Sequence, residues 1–126
     1  MKEENEKFKV DWLKLYSDML RWRYKRLFYE QGNLILPEFL KNLQFVSLMV
    51  NQVFKNRLGV DVNVSENDTI EEFWNKVKEP LKEFYDFLRT KKRSTNEFYA
   101  LWVWVAMWLK LKDENVNVYD FLREIR

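Results

Sequence analysis

The stretch Asn96-Glu-Phe-Tyr-Ala-Leu-Trp-Val-Trp-Val-Ala-Met-Trp-Leu-Lys110 decides the fold. From Phe98 to Leu109 it has no charged residue, no glycine and no proline, and it places Trp102, Trp104 and Trp108 within two turns. Such a run predicts a helix that the remaining chain wraps around. Leu101, Trp102, Trp104, Val105, Trp108 and Leu109 make its bulky side, and Ala100, Val103, Ala106 and Met107 make a lower, smoother one. Either this lower side meets a close neighbouring helix, or it is left open to join a second subunit or partner.

Composition supports long helices. Of 126 residues only two are glycine and two proline, while 17% are aromatic. Few chain breakers and many large side chains favour long uninterrupted elements. The apolar share of 47% against 33% charged is a globular balance, enough for one domain over residues 1–126 with a core of its own, residues 1–7 being a frayed start. With no cysteine, disulfides, thiolate catalysis and zinc fingers are excluded; with no histidine, the commonest general base and metal ligand is missing. The polar opening Met1-Lys-Glu-Glu-Asn-Glu-Lys7 lacks the apolar run of a signal peptide, and the Phe98–Leu109 run falls short of the roughly 18 apolar residues that span a bilayer. The chain is expected to be soluble and cytoplasmic.

Working outward, Ser94-Thr-Asn-Glu97 has capping-box spacing and is expected to open the tryptophan helix, which should end near Lys112. Asn117 caps a short last helix from Val118 to Arg126. Upstream, Thr69-Ile-Glu-Glu72 is a second capping box, opening a helix whose apolar face collects Ile70, Phe73, Trp74, Val77, Leu81, Phe84, Tyr85 and Leu88. That phase holds across Pro80, which predicts one kinked helix rather than two. Before it, Pro37 suits the first turn of a helix running to about Arg57 and stopped by Gly59. This helix carries no charge from Asn42 to Phe54. Its stripe is Phe39, Leu43, Val46, Val50, Val53 and Phe54, while Phe45 and Leu48 project elsewhere and are candidates for a protein interface. The first helix should run from Phe8 to Tyr29, with Gly32-Asn33 as its stop. The alternation Val60-Asp-Val-Asn-Val64, matched by Asn115-Val-Asn-Val118, hints at a small strand pair. The expected fold is all-α: an antiparallel up-down bundle of four main helices with a short C-terminal helix.

Two basic stretches suggest a function. In Arg21-Trp-Arg-Tyr-Lys-Arg26, cations alternate with aromatics, a pattern suited to phosphate contacts with base stacking by Trp22 or Tyr24. Arg21 and Lys25 point outward. Arg23 and Arg26 fall in the apolar sector, as core-edge ion-pair residues or as the lining of a site. Arg89-Thr-Lys-Lys-Arg93 feeds the start of the tryptophan helix and is either an anion site or a solvated loop. In an up-down bundle both stretches reach one pole, opposite Asp61, Glu66, Asp68, Glu71, Asp113 and Glu114. Net charge is only +2, so an electrostatic case must rest on this separation.

Residues 61–72 resemble an EF-hand calcium loop in ligand spacing, with Asp61, Asn63, Ser65, Asn67, Thr69 and Glu72 at the oxygen positions. Glu66 stands where the turn needs glycine, Asp68 where an apolar residue is usual, and Thr69 and Glu72 are already explained as a cap. No metal or other cofactor is expected. There is no glycine-rich phosphate loop and no distinct carboxylate pair, so the chain is expected not to be an enzyme. In general character it is similar to small helical subunits of nucleoprotein complexes and to small viral or plasmid-encoded inhibitor proteins, without a motif of either. The leading expectation is a nucleic-acid-binding accessory protein, contacting RNA or DNA through Arg21, Arg23, Lys25, Arg26, Arg89, Lys91, Lys92 and Arg93. The alternative is a protein-interaction module, either a homo-oligomeric subunit or an inhibitor or adaptor on a larger complex.

Overall fold

The structure, a computed structural model, describes residues 42–126. The helix expected over Phe8–Tyr29, its stop at Gly32-Asn33 and the start at Pro37 lie outside the described residues. Every described element is a helix: α1 Leu43–Leu58, α2 Ile70–Thr90, α3 Asn96–Lys112 and α4 Val118–Ile125.

The local chemistry of each end is visible. Asn42 has extended backbone, and its side-chain oxygen accepts the Phe45 N–H at 3.1 Å, so α1 starts at Leu43. Gly59, at φ 68°, ends α1 by donating its N–H to the Lys55 carbonyl at 2.9 Å; glycine takes this left-handed conformation without steric cost. The Thr69 box forms in full: Thr69 Oγ1 accepts the Glu72 N–H at 3.0 Å, and Glu72 Oε1 accepts the Thr69 N–H at 2.9 Å. α2 then runs unbroken through Pro80. The Ser94 box does not form. Thr95 is the N-cap and its side chain makes no cap bond, Ser94 Oγ accepts the Asn96 N–H instead, and Glu97 turns to Arg93. Asn117 caps α4 as expected, accepting the Tyr119 N–H at 3.0 Å.

α3 is the centre of the described core. Every side chain from Ala100 to Leu109 is at most 1% exposed, and α3 packs against α1, α2 and α4. Burial of each large apolar side chain contributes about 2 kcal/mol relative to exposure, so α3 supplies a large share of the fold's driving force. Ring contacts set the register. Phe73 at the start of α2 stacks on Trp108 near the end of α3, centroids 3.9 Å apart, and Tyr85 late in α2 meets Phe98 early in α3 edge to face. The two helices are therefore antiparallel. α4 lies across them, with Phe121 against Trp74, Glu124 paired to Lys78, and Arg126 donating to the Tyr99 hydroxyl.

The connection between α1 and α2 does not form the expected strand pair. It doubles back along α1, where the Asn51 side-chain amide holds both polar groups of Val64: Val64 N–H to Oδ1 at 2.7 Å, and Nδ2 to the Val64 carbonyl at 2.9 Å. The alternation at 60–64 thus records burial of Val62 and Val64 against exposed Asp61 and Asn63, not a strand. Among the described residues there is no strand; Asn115 and Val116 bond within their own turn to Asp113. Because the connection doubles back, Ser47 in the second turn of α1 sits beside the Phe73–Trp108 stack, where its hydroxyl accepts the Trp108 Nε1–H at 2.7 Å. A simple up-down order would have set the start of α1 beside the end of α2.

Candidate nucleic-acid interface

The basic turn 89–93 is built by the way α2 ends. Lys92 donates its N–H to the Arg89 carbonyl at 3.1 Å, and Arg93 donates to the Leu88 carbonyl at 2.8 Å. This Schellman-type closure requires a left-handed residue at its hinge, and Lys92 fills that position at φ 54°. A side chain there costs about 1 kcal/mol that glycine avoids. α1 ends on a left-handed residue too, and there the sequence does use glycine, Gly59.

Arg89, Lys91, Lys92 and Arg93 are all exposed. Arg89 lies over the Tyr85 ring, its guanidinium carbon 5.8 Å from the centroid, and Arg93 reaches Glu97 Oε1 at 3.6 Å. Neither contact neutralises its cation fully, since exposed pairs contribute little. The Lys91 and Lys92 ammonium groups make no hydrogen bond or ion pair among the described residues. α3 follows at once, its first turn without a side-chain cap, so the positive end of its dipole adds to the same field. Phe87 stands beside the turn with 45% of its surface exposed, and the Lys91 N–H bonded to its carbonyl at 3.0 Å puts Lys91 one turn further along the same side.

The acidic residues lie elsewhere. Glu66, Asp68 and Glu71 sit at the start of α2, and Asp113 and Glu114 follow the end of α3, at the opposite end from the basic turn because α2 and α3 are antiparallel. This acidic end carries its own cations. Lys112 bonds the Glu66 carbonyl at 2.9 Å, Lys110 the Glu114 carbonyl at 3.2 Å, and Lys55 pairs with Asp61 at 3.2 Å. In the loop resembling a calcium site, the Lys76 ammonium lies between the Asn63 carbonyl at 2.9 Å and Asp68 Oδ2 at 2.8 Å. Ser65 Oγ accepts the Asn67 N–H, and Thr69 and Glu72 cap α2. Among the described residues no three acidic side chains gather at metal-binding distance. Burial pushes the Asp68 carboxyl up, but the Lys76 hydrogen bond, the Ser65 N–H and the charges of Lys76 and Lys112 together hold it below its ordinary value.

The other candidate residues divide clearly. Arg21, Trp22, Arg23, Tyr24, Lys25 and Arg26 lie outside the described residues. The expectation that they share a pole with Arg89–Arg93 assumed an up-down order, and the described start of α1 lies at the other end, beside the Phe73–Trp108 stack. Ala100, Val103, Ala106 and Met107 are at most 1% exposed, so the lower side of α3 is closed within the fold and offers no surface. Of the two interface candidates on α1, Phe45 is half-buried and Leu48 is 62% exposed. Sequence reasoning missed Phe87, which falls at the edge of the α2 apolar stripe. Its signal was an aromatic one turn before a lysine pair. Among the described residues no helix is long and apolar enough to cross a membrane. No protein-family model, no curated protein and no solved structure matches the chain.

Proposed function

We propose that this chain is a non-enzymatic nucleic-acid-binding accessory protein that contacts phosphates through the α2–α3 turn. The observation that carries this reading is the state of Lys91 and Lys92: two exposed ammonium groups with no partner among the described residues, one of them on a left-handed hinge where glycine would be less strained. Cations held ready at the dipole-positive start of a helix suit a polyanion. By their sequence pattern, Arg21, Arg23, Lys25 and Arg26, with Trp22 or Tyr24 stacking, extend the reading to a helix over Phe8–Tyr29 that completes a bundle of four main helices and a short C-terminal one, in a cytoplasmic setting. Gel-shift titration with RNA and DNA oligonucleotides tests it. The native chain should bind, and the variant with Arg89, Lys91, Lys92 and Arg93 all changed to alanine should bind far more weakly. Failure to bind any RNA or DNA sinks the proposal.

A second reading, a protein-interaction module, is favoured by Leu48. It stands 62% exposed on a helix with no charge from Asn42 to Phe54. Light scattering on the native chain and on Leu48→Asp tests this; a monomer in both cases removes the homo-oligomeric form of the reading.

A further inference from the structure

Phe87 bears on which form of nucleic acid the basic turn would take. It is one of two large apolar side chains among the described residues that remain substantially exposed, and it stands one turn before Lys91 on the same side of α2. Nothing in the core needs it. The apolar face of α2 is already filled by Phe73, Trp74, Val77, Leu81 and Leu88. The charges around it are asymmetric. Upstream on α2 the exposed acids Glu83 and Asp86 outnumber the exposed Lys82; downstream are Lys91, Lys92 and Arg93, with Glu97 offsetting only Arg93. A polyanion passing over Phe87 is therefore drawn toward the turn and repelled from the body of α2.

An exposed aromatic ring beside phosphate-binding cations can stack on a base only if that base is unpaired and free to splay out. In a closed duplex the base faces are occupied by their neighbours, and the ring would meet sugar and phosphate. We infer that the ligand of this turn is single-stranded nucleic acid, with one base stacked on Phe87 and the adjoining phosphates held by Lys91 and Lys92. This rests on the proposed nucleic-acid function and makes its ligand specific.

The test is fluorescence anisotropy of the full chain with labelled single strands of about 15 nucleotides, oligo-dT and oligo-rU, and with a duplex of equal length. Single strands should bind more tightly than the duplex. Phe87→Ala should weaken single-strand binding about ten-fold and leave duplex binding nearly unchanged. Phe87→Trp should restore single-strand binding, while Lys91→Ala with Lys92→Ala should weaken both forms. Circular dichroism confirms that each variant folds, as expected for a half-exposed side chain. Equal losses for single strand and duplex in Phe87→Ala, or no loss at all, overturn this inference while leaving nucleic-acid binding in place. If neither form binds the native chain, the underlying function falls and this inference falls with it.

Discussion

Lys92 shows how one residue can set stability against the proposed function. Its left-handed backbone closes α2 at a cost that glycine would not bear. Lys92→Gly should raise stability by about 1 kcal/mol in urea unfolding and at the same time weaken nucleic-acid binding. Ser47 is a purely structural counterpart. Its hydroxyl satisfies the Trp108 indole N–H inside the core, and Ser47→Ala should cost about 1–3 kcal/mol by leaving that donor buried and unpaired. Asp68 contributes in a pH-dependent way. Its carboxyl is held below the unfolded value of about 3.9, so its contribution is present in full above that value and lost as pH falls through the folded one. Asp68→Asn should therefore destabilise the chain at neutral pH, with the difference from native shrinking as unfolding is measured below about pH 4. None of these three roles was legible from the residues alone. A serine in an uncharged helix and a lysine in a basic run look ordinary until the backbone turns and the partner helix arrives.

At the scale of elements, the sequence carried most of the information. The apolar phase of α2 across Pro80, the stop at Gly59, the cap at Asn117 and the central place of α3 all follow from spacing and side-chain chemistry, because these are local rules. Two identical cap signatures show where such rules stop. Thr69-Ile-Glu-Glu72 closes reciprocally, whereas Ser94-Thr-Asn-Glu97 does not, because the tight closure of α2 shifts the start of α3 by one residue and Glu97 has Arg93 as a competing partner. Thr69→Ala should cost about 1 kcal/mol in thermal or urea unfolding, and Thr95→Ala, which removes no cap bond, should be close to neutral. The alternation at 60–64 misled for a related reason. Period-two burial marks any extended segment lying on a core, and the partner that satisfies Val64 is a side chain, Asn51, rather than a second strand.

At the scale of the whole molecule, long-range order was the least legible. An up-down bundle follows from short connections, but the 59–69 connection doubles back and brings Ser47 to the start of α2 and the end of α3. The separation of charge along α2 and α3 survives: the basic turn stands at one end, and the acid-rich loops, partly neutralised by Lys55, Lys76, Lys110 and Lys112, stand at the other. With a net charge of only +2, the proposed affinity for nucleic acid must rest on local clusters of cations such as that turn rather than on the molecule's overall field. Its signature is counterion release. The most direct test is the salt dependence of oligonucleotide binding for the native chain and for Lys91→Ala with Lys92→Ala. Native affinity should fall as salt rises, and removing two phosphate contacts should flatten the logarithmic slope by about 1.4, at roughly 0.7 per contact for a single strand. Binding that is indifferent to salt, or a slope unchanged in the double variant, would contradict a phosphate-binding role for the α2–α3 turn.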